Sequence, residues 1–258
     1  MDVSLLPLNQ NSLCNMNELT DANPDVNVQE SEFKRLLGYP IHRELEGRSR
    51  ELADWARNWF ESNGKPWIFS IRDDEIDFSS EVLIVGGFRF TSRKFRDALA
   101  KANAFGVILT VVCAGKECEE EARKLWLDGK PDEYFFLEAY GSAVAKHLLT
   151  IAGAHFCTWA EENDLAILPH YSPGYPGWDV NDQKLVFELI KQKKRKDFPG
   201  EFNVLETGML KPKKSLIAVF GITKEVSIFQ KLPELIPCET CSMFYCQYRR
   251  KSFRFSGI

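Results

Sequence analysis

His170-Tyr171-Ser172-Pro173-Gly174-Tyr175-Pro176-Gly177-Trp178 is the stretch from which the rest of this chain is read. Two prolines and two glycines in nine residues exclude a helix or a regular strand and predict an open, extended turn. Backbone N–H and C=O groups in such a turn are not consumed by a ladder, and two tyrosines, a serine, a histidine and a tryptophan stand beside them. That composition suits a loop that grips a ligand. It suits equally a rigid connector whose rings cap a core, and the residues alone leave both readings open.

Working outward, a helical pattern runs from about Glu133 to Glu162 before the loop, with Ala139, Ser142, Ala143, Ala152 and Ala154 giving it a small-residue surface. Another element can approach it closely, so it is expected to be the central packing helix. Lys146, His147 and His155 lie on it, without a carboxylate at metal-ligand spacing. After the loop, Asp182 is expected to cap a helix carrying Leu185, Val186, Leu189 and Ile190, which Pro199-Gly200 ends. A strand is expected from Phe202, then a turn over 208–214, then a strong strand, Ser215-Leu216-Ile217-Ala218-Val219-Phe220-Gly221.

Nearer the start, Leu45, Leu52, Trp55, Ala56, Trp59 and Phe60 recur at helical spacing and stop at Asn63-Gly64. Strands are expected at Trp67–Ile71, at Val82–Val85 and, most clearly, at Gly106–Cys113. A helix capped by Ser92 and an acidic helix from Glu117 fall between and after them. The pair Gly86-Gly87 meets neither the dinucleotide fingerprint nor the Walker pattern, since no third glycine and no immediate helix follow. Residues 1–32, rich in Asn, Asp and Pro, read as a mobile leader or a weakly packed extension.

With 258 residues and 44% hydrophobic content, the chain can bury a substantial core, and a single main domain over 33–230 is expected. A net charge of -4 and a pI near 5.7 give no general pull toward nucleic acid or anionic membrane. The basic run Lys191 to Lys196 is the local exception, and it falls at a helix end whose dipole it complements. No apolar run is long enough to span a bilayer and no secretion signal opens the chain, so a cytoplasmic protein is expected. Its seven cysteines then read as free thiols or metal ligands.

Two constellations carry chemistry. Glu206, at a strand end beside Gly208, is placed to accept hydrogen bonds from an amino-bearing or cationic ligand while Tyr175 packs against its flat part; the same two residues also read as a surface carboxylate and a core tyrosine. In the tail over 231–258, Cys238, Cys241 and Cys246 put three thiols within nine residues. They can converge on a soft metal ion or an iron–sulfur cluster if Cys113, Cys118, a histidine or an outside ligand completes the set; otherwise they are reduced tail cysteines.

Four segments in order resemble one family. The loop Ser172-Pro173-Gly174-Tyr175-Pro176 and the turn from Glu206 to Pro212 and Ser215 are similar to the two hallmark segments of the activation domain of vitamin B12-dependent methionine synthase. The strand into Cys113-Ala114-Gly115 and Leu137-Glu138-Ala139-Tyr140-Gly141-Ser142-Ala143 at the start of the long helix fit the same pattern. The similarity covers roughly residues 35–225. It implies an α/β (α+β) fold with a curved, mainly antiparallel sheet flanked by helices. It further implies a site for S-adenosylmethionine formed by His170, Tyr171, Ser172, Gly174, Tyr175 and Glu206, with Tyr175 also toward a corrin ring.

In that family the domain presents the methyl group of S-adenosylmethionine to cobalamin while a donor such as flavodoxin supplies the electron. The chain has no room for the homocysteine, folate and cobalamin modules, and no Asp-x-His-x-x-Gly donor for cobalt, so the resemblance implies a stand-alone relative. Its partner would be a corrinoid protein or corrinoid-dependent methyltransferase, which it would help to reactivate. Two positions depart from the family: His170 replaces an arginine, losing a bidentate grip on a carboxylate, and Lys146 replaces a glutamate. The alternative expectation is a non-catalytic docking or metal-binding protein without affinity for the methyl donor.

Overall fold

The computed structural model describes residues 16–40, 42–78 and 82–225. In chain order the elements are β1 (Glu18–Asp21), α1 (Glu30–Leu36), α2 (Gly47–Asn63), β2 (Trp67–Asp73), β3 (Ile76–Asp77), β4 (Leu83–Val85) and β5 (Phe88–Phe90). There follow α3 (Arg93–Lys101), β6 (Gly106–Cys113), α4 (Lys116–Leu127), α5 (Pro131–Glu162), β7 (Ala166–Ile167), α6 (Asp182–Lys193), β8 (Asn203–Val204), β9 (Leu210–Lys211) and β10 (Ser215–Thr223). Five of them form a curved sheet in the order β1-β2-β6-β10-β7, antiparallel at every pairing. The fold class expected from the sequence is therefore the one observed.

Strand β6 reads as an unbroken apolar run because both faces of the sheet are covered. Ile108 and Val112 enter one apolar cluster with α1, α2, α4 and α5, while Val107, Leu109, Val111 and Cys113 enter another with α3, α6 and the small β3–β4–β5 sheet. The one polar side chain on β6, Thr110, is fully buried and accepts from Ser70 Oγ of β2 at 3.0 Å, so neither hydroxyl is stranded. Helix α5 begins at Pro131, whose missing N–H is not needed at a helix start, and it packs against α1, α2, α4 and β10. Burial along its length explains why it can exceed the usual helix length.

Two expectations are corrected here. Within the stretch read as a mobile leader, Glu18 to Asp21 pair with Ile71 to Ile68, and Met16 and Val28 are buried. The pairing satisfies the outer backbone groups of β2, a tertiary gain that local composition does not register. Asp182 does not cap α6: the residue before the helix is Asn181, without a side-chain cap, and the Asp182 carboxylate is turned inward. Cys238, Cys241 and Cys246 lie outside the described residues.

Candidate functional site

The chain leaves β7 and continues along β10, with Leu168 N–H donating to Gly221 O at 2.9 Å and Tyr171 exchanging two 2.9 Å bonds with Val219. This extension places its side chains on the two faces of the sheet edge. Leu168 and Tyr171 turn into the cluster beneath α3 and α6, while His170 turns to the α5 side, its ring centroid 5.4 Å from that of Phe220. The loop then folds on itself: Tyr175 N–H donates to Ser172 O, Trp178 N–H to Tyr175 O and Gly174 N–H to Trp178 O, at 2.9–3.0 Å. Gly174 and Gly177 have φ of +92° and +83°, which explains why these positions are glycine.

Beneath the loop is a stack of rings. Phe95, Tyr171 and Trp178 form a triangle of near-parallel rings, with centroids 5.3–6.1 Å apart and planes within 20°, and Tyr171 Oη donates to Pro176 O at 2.5 Å. Trp178 Nε1 donates to Asp182 Oδ2 at 2.9 Å, and the same oxygen accepts from Thr91 N–H and Thr91 Oγ1 at 2.8 and 3.0 Å. Asp182 thus ties the end of the loop to α6 and to the strand before α3. The sequence offered only one signal for this role, an acidic residue four positions after a tryptophan, and the contact to Thr91 lies far off in the chain.

Of the six residues expected to hold a ligand, Tyr171 is fully buried and Ser172 nearly so, and they shape the loop from below. His170 and Tyr175 are half-buried and meet at its surface, Tyr175 Oη standing 3.4 Å from His170 Nε2. Gly174 is exposed. Glu206 is also exposed, on a turn closed by Leu205 N–H to Met209 O at 2.8 Å. The two predicted segments do come together at one residue. A Cβ on Gly174 would touch Val180 Cγ2 at 3.6 Å, and one on Gly208 would crowd Val180 O at 3.2 Å. His170, in contrast, faces the α5 side of the sheet edge, so the expected set is divided between the two faces.

That α5 side is bounded by a seam in which Gly141 of α5 lies beside Lys214 and Gly153 beside Phe220. The His170–Phe220 ring pair stands at the Gly153 end. At the other end is a cavity of about 520 Å³, to which Lys146 and Leu216 contribute. Lys146 Nζ is 3.8 Å from Glu32, so the position where the resembled family carries a carboxylate is cationic here. Further along α5, His147 Nε2 accepts the Asn27 N–H at 3.2 Å. Burial holds the pKa of both His147 and His155 below the usual value, against the opposing pull of Asp25 and Asp21 respectively. Among the described residues no group of three or more His, Cys, Asp or Glu side chains is arranged to hold a metal ion, and no helix is long and apolar enough to cross a membrane.

No protein-family model and no curated protein matches the chain. The architecture is nevertheless a known one, an α/β fold of the activation-domain type. A solved structure that shares it is described as the MetH reactivation domain bound to AdoHcy, matched with a TM-score of 0.53 and 11% identity over 70% of this chain and 67% of that one. At that identity the likeness establishes the fold.

Proposed function

We propose that this chain binds an S-adenosyl compound where the Pro/Gly/Tyr loop meets the α5–β10 seam, and that it acts as a reactivation component for a partner's corrinoid. The supporting observation is the placement of the loop: it is locked to β10 with His170 over Phe220, in a fold shared with a domain solved bound to AdoHcy. The residues present fit part of such a ligand. His170 and Tyr175, both half-buried, offer ring faces to an adenine, with Phe220 backing His170 from the core, and the Lys146 ammonium offers a charge-assisted donor to a carboxylate. The sulfonium centre of S-adenosylmethionine is less well served, because Lys146 adds a like charge to the seam.

The reading therefore favours the neutral thioether over the sulfonium. Bound S-adenosylmethionine would supply a methyl group; the role of the chain's own residues is to orient the nucleoside and to keep the loop in place beneath it. A corrinoid protein is the proposed partner, with the electron supplied by a separate flavodoxin-like donor. Calorimetric titration tests this directly. S-adenosylhomocysteine is expected to bind at least as tightly as S-adenosylmethionine, and Lys146→Glu should move the preference toward the sulfonium by about tenfold. Absence of heat with both compounds, alone and with cobalamin present, would remove the proposal.

A further inference from the structure

The cavity at the Gly141 end of the seam is only touched by that reading: Lys146 stands at its wall, but neither His170 nor Tyr175 lines it, and Tyr134, Glu138, Lys213 and Lys214 have no part in the proposed S-adenosyl site. Its wall is built around one carboxylate. Glu138 lies 3.0 Å from Lys213 Nζ through one oxygen and 3.0 Å from Lys214 Nζ through the other, and Lys214 also donates to Ser142 Oγ at 2.9 Å. Lys214 reaches this place because residue 141 is glycine: a Cβ there would stand 3.2 Å from Lys214 Cγ and 2.6 Å from the buried Cys118 Sγ. Two ammonium groups carry six N–H donors, and three acceptors are supplied by Glu138 and Ser142.

Charge and shape then narrow the occupant. Taking the neighbours into account, Lys146, Lys213, Lys214 and Arg35 face Glu32, Glu119 and Glu138, so four cations stand among three carboxylates. Apart from Ser215, the remaining lining is aromatic and aliphatic. Tyr134 is braced by Trp126 at 5.2 Å between centroids, and Phe135, 48% exposed, stands at the rim. A volume of about 520 Å³ is ample for one ring system with a charged substituent.

We infer that this cavity is a binding site for a small anion with an apolar, ring-sized body, its carboxylate or phosphate held by Lys213 and Lys214 and its body lying on Tyr134 and Leu216. The anion competes with Glu138 for the two ammonium groups, which gives the site an unusual signature: neutralising an acid in its wall strengthens it.

The experiment uses the full chain with 1-naphthyl phosphate, 1-naphthoate, 1-naphthylmethylamine and inorganic phosphate, followed by calorimetry and by chemical-shift changes of residues 134–146 and 213–216. Both naphthyl anions are expected to bind and the amine to show no saturation; whichever anion binds more tightly identifies the headgroup as carboxylate or phosphate. Lys213→Met, at a side chain 41% exposed, should weaken the anions about tenfold, and Glu138→Gln should tighten them several-fold. Equal binding of the amine, unchanged affinity in Lys213→Met, or inorganic phosphate binding as tightly as its naphthyl ester would overturn the inference. Titration of Lys213→Met with S-adenosylhomocysteine separates this site from the loop, because loss of one ligand without the other assigns the failure to one proposal.

Discussion

Replacing Asp182 by alanine tests the central structural claim, that the loop is held by a buried carboxylate. Asp182 is 5% exposed, and its Oδ2 accepts from Trp178 Nε1, Thr91 N–H and Thr91 Oγ1 at 2.9, 2.8 and 3.0 Å. Trp178 is itself buried among Phe90, Phe95 and Tyr171. Each donor left without a partner in a dry site costs about 1–3 kcal/mol, and the Thr91 hydroxyl can turn elsewhere, so Asp182→Ala should lose about 3–5 kcal/mol. Against a usual total stability of about 5–15 kcal/mol that is a large fraction. Urea unfolding of both proteins measures it, provided the two slopes agree.

The same claim has a local signature that a general loss of stability lacks. Trp178→Phe removes one of the three donors while keeping a ring in the stack, so Asp182→Ala should cost less in that background. The double-mutant coupling expected is about 1–2 kcal/mol. The indole N–H of Trp178, followed by exchange with deuterium, should lose its protection in Asp182→Ala. A cost under about 0.5 kcal/mol, with indole protection unchanged, would refute the reasoning, since it is the size expected of an ordinary surface substitution.

Two more predictions concern α5. The His147 pKa is depressed by burial in the folded state, so the stability it contributes is present above its unfolded value, near 6.5, and is lost as the pH falls through the lower folded value. Acidification below pH 6 should release the segment around Asn27 first, seen as faster amide exchange there, and His147→Gln, which keeps an acceptor, should flatten that dependence. Gly141→Ala should destabilise by about 1–3 kcal/mol in thermal unfolding, because its Cβ would stand 2.6 Å from Cys118 Sγ in a fully buried site. A neutral result would mean that α5 and α4 can part at no cost.

Much of the architecture was legible in local pattern. The run Gly106–Cys113, the helical spacing of Leu52, Ala56 and Phe60, and the length of α5 each announce an element because burial of one face, or of both, leaves a period in the sequence. The loop over 170–178 was legible too, since proline and glycine restrict the backbone wherever they stand. The resemblance in four short segments pointed to the fold that the comparison then established, although at 11% identity little else in the chain repeats.

What the sequence alone determined is thus a set of elements and one irregular loop, properties fixed by the φ, ψ and burial preferences of neighbouring residues. What only the tertiary structure decided is which residues of that loop are usable. Tyr171 is turned inward and His170 toward α5, because the chain bridges Val219 at Tyr171 and adjacent side chains of an extended segment take opposite faces; Ser172, where the turn begins, is buried as well. Pairing of β1 to β2, the inward turn of Asp182 and the meeting of Lys213 and Lys214 over Glu138 have the same origin. Each joins residues far apart in the chain whose energies appear only when the sheet brings them within a few ångströms.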